Sequence, residues 1–298
     1  MTVGKRIGWT GLSILALVAA FGVQIVASMI IILPYALVEG IRQGMQAANG
    51  QDPGRMAEEF MANMGGIMGI VLVAAGVLLL MVFLPWYYFG CGRKKFTRES
   101  VSRVFSPRAL LVVFLIAIAL NYGINCLLQL VYVLAPQALE YYQQLMENAG
   151  IGSDLWANLA AVILAPLGEE LVFRGVAFHY ARKAVEGMRR PGTAFWIANC
   201  IQALLFGIYH MNLIQGIYAF VIGLVLGYLF QRYRSLIPGV LAHLVFNGMS
   251  ALLGDMAYAW IPESVIWYAV IGVAGIGLVL IIMIKNGFAS VDNEQNVA

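Results

Sequence analysis

Residues 7–38 hold no charged side chain, and neither do residues 66–90. Similar apolar runs recur at 108–134, 155–181, 193–211, 213–231, 236–254 and 264–284. A helix that crosses a bilayer needs about 20 predominantly apolar residues, so the pattern predicts eight transmembrane helices and an all-α, polytopic membrane protein. The first run is longer than a bilayer requires, so it is expected to tilt or to continue past the membrane. Two polar insertions interrupt the series. Residues 39–65 form the longer one. Residues 135–154, "APQALEYYQQLMENAGIGSD", predict a short amphipathic surface helix ending at a Gly-Ile-Gly turn.

The charges between the runs test that count independently, because cytoplasmic loops carry the excess of Lys and Arg. Lys5 and Arg6, the cluster from Arg93 to Arg108, Arg182 to Arg190, Arg232 and Arg234, and Lys285 all fall in one set of loops. The other set holds only Arg42 and Arg55 among nine acids. The alternation predicts that both termini are cytoplasmic. Composition agrees: 61% of residues are hydrophobic and 11% charged, against about 25% charged in a soluble domain, and the mean hydropathy is +0.83. This excludes a soluble enzyme, and no basic stripe points to nucleic acid. The partners expected are the lipid bilayer and whatever peptide the protein meets there. Oligomeric state is not legible. The compact chain fits a bacterial plasma-membrane protein.

Lys5 and Arg6 precede an apolar run as in a signal peptide, but the run far exceeds a 7–15-residue core, so it reads as a retained first helix. Cys91, Cys126 and Cys200 are odd in number, lack CxxC spacing and fall in or beside apolar segments. They read as small packing residues. The expected organisation is residues 1–150, carrying helices one to three and both polar insertions, and residues 151–298, carrying the remaining five.

Apart from histidines, three ionisable residues remain inside the spans: Glu169, Glu170 and Arg174, in "APLGEELVFRG". Charge at the bilayer centre costs about 2.5–3.5 kcal/mol on insertion scales, so each needs a partner. Glu170 and Arg174 are i and i+4 and can pair on one helix face. Glu169 lies about 100° around the helix, off that face. Pro166 removes a backbone hydrogen bond just upstream. The bland alternative is an inert buried network.

Of three histidines, His179 reads as interfacial. His210 follows Phe206 by four residues, and His243 precedes Asn247 by four, so each pair shares a helix face. If these helices converge with Glu169, they line a polar intramembrane cavity. A glutamate there can take a proton from water while imidazole or amide N–H groups hold the oxyanion formed on a peptide carbonyl. No GxSxG, no Ser or Cys beside a His, and no intramembrane aspartate pair supports nucleophilic or aspartyl catalysis.

Together, Glu-Glu-x-x-x-Arg at 169–174, Phe-x-x-x-His at 206–210 and His-x-x-x-Asn at 243–247 resemble the signature of type II CAAX prenyl endopeptidases, the CPBP or ABI family of intramembrane proteases. The similarity covers about residues 155–255. It implies an eight-helix, glutamate-dependent endopeptidase in which Glu169 activates water and His210, His243 and Asn247 complete the site. Glu170 and Arg174 would support it, and Phe206 would shape it. The substrate would be a membrane-associated peptide or protein. No cofactor is required in this reading.

Relatives are often labelled metalloproteases, and Glu169, His210 and His243 could offer Zn2+ a facial set, but there is no HExxH and Asn247 is a poor zinc ligand. His210 sits some 25 Å along its helix, which predicts a turn at Met211–Asn212 inside the bilayer with Asn212 serving backbone groups. Gly223 and Gly227 form a GxxxG that permits close helix approach. Trp86, Tyr87 and Tyr88 read as an interfacial belt, and the Arg93–Arg108 cluster as topology with lipid head-group contact. Two other functions fit less well: a non-catalytic scaffold or bacteriocin-immunity protein, and a proton-coupled transporter, for which the internal repeat is lacking.

Overall fold

The computed structural model describes residues 2–91 and 104–287. Most of the basic cluster (Arg93, Lys94, Lys95, Arg98, Arg103) lies outside them; Arg108 lies within. Among the described residues there is no strand.

Helix α1, Val3–Ala48, runs ten residues beyond the apolar stretch because "EGIRQGMQAA" consists mostly of good helix formers. Gly50, at φ 79°, turns the chain. Asp52 then caps α2, Pro53–Pro85, by accepting from the Arg55 N–H at 3.0 Å, and a π turn, Trp86–Gly90, continues it. Much of the polar insertion is thus helical, on both sides of a tight turn. Helix α3 is Pro107–Leu134, capped by Ser106. Helix α4, Pro136–Asn148, is the amphipathic helix the sequence predicts, and Gly150 and Gly152 turn behind it with positive φ.

Helix α5 spans residues 155–184 and changes step repeatedly. It is α over Leu155–Leu159, π over Ala160–Leu164, α over Ala165–Glu169, π over Glu170–Ala177 and α again over Phe178–Ala184. Helix α6 is Pro191–Tyr209 and α7 is Leu213–Tyr233. Helix α8, Ile237–Gly248, widens into a π segment, Met249–Leu253. Helix α9 is Val265–Asn286.

Seven helices among the described residues are long and apolar enough to cross a membrane: all except α4 and α5. Eight spans were expected. The remaining one, α5, has the length, but its α and π segments are each eight residues or fewer, and it carries the three buried charges. It is also the centre of the fold. Helices α1, α2, α6, α7 and α8 all touch it, while α3 packs on α8 and α9. Contacts therefore cross the expected division at 150/151. Residues 168–178 are buried without exception, so this stretch of the helix is enclosed by protein on every side.

The GxxxG reading is right in kind. A methyl group on Gly223 would come within 2.9 Å of Ala203, and one on Gly227 would collide with the Asn199 side-chain oxygen. Close approach lets the α6 amides reach the α7 backbone: Asn199 Nδ2 donates to Leu224 O and Gln202 Nε2 to Gly223 O, both at 2.9 Å. The aromatic cluster also packs on the protein. Trp86 stacks on Phe83 and donates to Tyr180 Oη at 3.1 Å, and Tyr87 lies against Gly175. Two of the three rings thus hold α2 on α5. All three cysteines are free.

Replacing Gly227 with valine is expected to push α7 off Asn199 and Gln202 and cost about 1–3 kcal/mol, measured as a lowered unfolding midpoint in detergent. An unchanged midpoint would show that the two helices can separate without loss.

Candidate active site

The site forms where α5 is most enclosed. Arg174 and Glu170 have no exposed surface, and Arg174 Nη1 lies 3.0 Å from Glu170 Oε1, as the i, i+4 spacing requires. The contact is electrostatic, without the alignment of a good hydrogen bond. The guanidinium also lies 4.4 Å from the centroid of the Phe206 ring, so Phe206 adds a cation–π contact. Phe173 supports that ring from α5 at 5.0 Å between centroids.

His243 joins the two glutamates. Its Nδ1 is 3.3 Å from Glu170 Oε1 and its Nε2 is 3.7 Å from Glu169 Oε2. Glu170 therefore receives Arg174 and His243 on the same oxygen. Glu169, off the Glu170–Arg174 face, has only the longer contact and retains about 7% exposure. With both acids ionised and His243 neutral, Glu169, Glu170, Arg174 and His243 together carry one negative charge.

Phe206 links the remaining histidine to this group. Its ring lies 5.0 Å from His210 and 5.8 Å from His243, edge-on to both. His210 reaches the cluster through aromatic contact, with no ion pair to Glu169 among the described residues. The turn after it has φ 54° at Met211, and Asn212 caps α7 by accepting from the Gln215 N–H at 3.0 Å. Asn212 thus serves a backbone group as expected. Helix α7 rises about 30 Å, the thickness of the hydrocarbon core.

Asn247 has a structural bond that the sequence does not announce. The Ala165 N–H reaches back five residues to Ala160 O. The next donor in that step would be residue 166, a proline, which has no N–H. Ala161 O is the carbonyl left over, and Asn247 Nδ2 donates to it at 2.8 Å. A carboxamide carries two N–H bonds, so one fixes the group and the other remains for a ligand.

Gly239 is a site residue that sequence reasoning missed. A methyl group there would come within 2.6 Å of Glu170 Oε2, so a larger residue would have to displace the buried carboxylate from its present place. It stands one turn before His243 and two before Asn247, and that i, i+4 stripe was the available signal. The described residues contain no group of three or more His, Cys, Asp or Glu that could hold a metal ion. Glu169, His210 and His243 are not gathered into a zinc set in this geometry, and no step below is routed through zinc. No enclosed cavity is established at the site. A pocket of about 1070 Å³ lies elsewhere, between the start of α1 (Lys5, Gly8, Trp9) and the turn after α5 (Glu186, Gly187).

With that geometry in hand, comparison with known families gives a match over part of the chain. Residues 151–249 match the family described as Type II CAAX prenyl endopeptidase Rce1-like. The match bears out the resemblance drawn from the three motifs and contains all seven motif residues. No curated protein and no solved structure matches the chain.

Replacing Arg174 with methionine leaves Glu170 buried with its strongest partner gone, and is expected to cost about 3–5 kcal/mol of folded stability. Pairing it with Glu170→Gln should recover most of that loss. Equal losses in the single and double variants would show that the two charges do not interact.

Proposed function

We propose that the chain is an intramembrane endopeptidase in which Glu169 activates water. The observation that carries this is the unequal treatment of two adjacent buried glutamates. Glu170 is committed to Arg174 and His243, at 3.0 and 3.3 Å, whereas Glu169 has one contact, at 3.7 Å, and the greater exposure. The Rce1-like match supports a CAAX-type protease at the family level.

In the proposed reaction Glu169 takes a proton from water, and the oxygen attacks the carbonyl carbon of a membrane-associated peptide. The oxyanion is held by the second N–H of Asn247 and by imidazole, His210 or His243. Glu169 then returns the proton to the leaving nitrogen as the C–N bond breaks. Glu170 and Arg174 hold His243 in place, and Phe206 fixes the relation of the two imidazoles. A peptide with a prenylated C-terminus is one substrate class the family's name supports. Both termini are proposed to be cytoplasmic, on the alternation of basic loops.

The test is cleavage of a membrane proteome by the purified protein and by Glu169→Gln, with and without a zinc chelator. Loss of one catalytic contact costs about 10²–10⁴-fold, so cuts made by the unaltered protein should vanish in the variant and survive the chelator. Loss with chelator and recovery with zinc would replace this mechanism with metal-assisted hydrolysis. Equal patterns from two folded preparations would leave a non-catalytic membrane scaffold or immunity protein.

A further inference from the structure

We infer that Asn121, in α3 and outside the matched residues 151–249, is a positioning residue for the site. It holds the α8 backbone between His243 and Asn247. The kinetic part of this inference rests on the proteolytic reading; the structural part does not.

Asn121 has no exposed surface. Its Nδ2 donates to Phe246 O at 3.0 Å and to Ser250 Oγ at 2.9 Å, and its Oδ1 accepts from Tyr258 Oη at 2.6 Å. Both amide hydrogens are therefore used, and both go to the chain around the site. Phe246 is three residues after His243 and directly precedes Asn247. Its carbonyl also sits where α8 changes from α to π step, and the Met249 N–H is shared between Phe246 O and Val245 O. A shared donor at a change of step leaves the register weakly defined, and a side-chain donor from a neighbouring helix fixes it.

The neighbouring residue continues the attachment. Tyr122 Oη donates to Ala257 O at 2.8 Å, Trp260 Nε1 donates to Tyr122 Oη at 3.2 Å, and Tyr258 packs edge-on against Tyr122 at 5.5 Å. Two consecutive α3 residues thus hold residues 246–260. On its other side α8 is fixed by Gly239 against Glu170 and by Asn247 on Ala161 O. Asn121 supplies the opposing constraint. A buried asparagine that only satisfied itself would bond its own helix or one loop carbonyl. This one bonds the backbone of the helix that presents two of the site residues.

The experiment uses the full chain in lipid nanodiscs. With three histidines in the chain, the imidazole ¹⁵N spectrum is small enough to assign by single His→Gln substitutions. Asn121→Leu keeps the branched shape and removes the bonds. It is expected to move the His243 signals and leave those of His179 in place. On an internally quenched farnesylated C-terminal peptide it should lower kcat about ten- to a hundredfold, with little change in KM. Tyr258→Phe, which removes the hydroxyl with its hydrogen bonds to Asn121 and Ser250 but keeps the ring, should move the same signals less, and it decides the matter should Asn121→Leu fail to fold. Unmoved His243 signals in a folded variant overturn the inference. If the unaltered protein cuts no peptide, the proteolytic reading fails by itself, and the spectrum still decides whether Asn121 positions His243.

Discussion

Arg174 is the largest side chain that the fold buries completely, and an unpaired cation at that depth would be expelled or would draw water in. Its neutralisation constrains everything near it. Glu170 must be i−4 on the same helix, Phe206 must bring a ring face from α6, and α8 must come close enough for His243 to reach the same carboxylate oxygen. Gly239 leaves room for the Glu170 carboxylate in that approach. The close α6–α7 packing through Gly223 and Gly227 holds the helix that delivers Phe206. One buried charge thus accounts for features on four helices.

The second constraint is the peptide backbone. In hydrocarbon, an unserved carbonyl costs several kcal/mol, and α5 carries a proline in its middle. The π step before Pro166 passes the missing donor to Ala161 O, and Asn247 fills it. At the α-to-π change in α8, Asn121 serves Phe246 O in the same way. In both places irregular backbone is tolerated because an amide from another helix completes it, and in both places the amide ties α8 to its surroundings. The irregularity and the placement of the site residues are therefore one feature.

Much of this was legible beforehand, for identifiable reasons. Span positions follow from apolar run length, and the Glu170–Arg174 pair follows from i, i+4 spacing, because both depend on a single helix. What crosses between helices was not legible. Periodicity assigns His243 and Asn247 to one face but cannot say that one imidazole bridges both glutamates, or that Asn247 spends a hydrogen on Ala161. Pro166 signals a break without giving the step, so the π segments of α5 were invisible. The packing of Trp86 and Tyr87 was not legible because an interfacial anchor and a packing knob have the same composition, and only Gly175 and Tyr180 opposite them reveal the contact. Buried Asn121, Asn199 and Gln202 drew no notice because they carry no charge, although uncharged amides supply several of the bonds between helices here.

The same charge accounting bears on the proposed chemistry. Hydrolysis inside a bilayer would be prohibitive if it created charge, since every new ion must be solvated by a medium that solvates poorly. A carboxylate acting as base creates none. In the proposed reaction, with both acids ionised and His243 neutral, the negative charge of the cluster would leave Glu169 as it takes the proton and reappear on the carbonyl oxygen, where Asn247, held by Ala161 O, and an imidazole beside Phe206 would be the donors. Arg174 and Glu170 cancel throughout and need not move. Glu170 could not play this part. Protonating it would strip Arg174 of its partner and leave a buried cation at the moment of reaction. The division of labour between two adjacent glutamates therefore follows from which of them the arginine can spare.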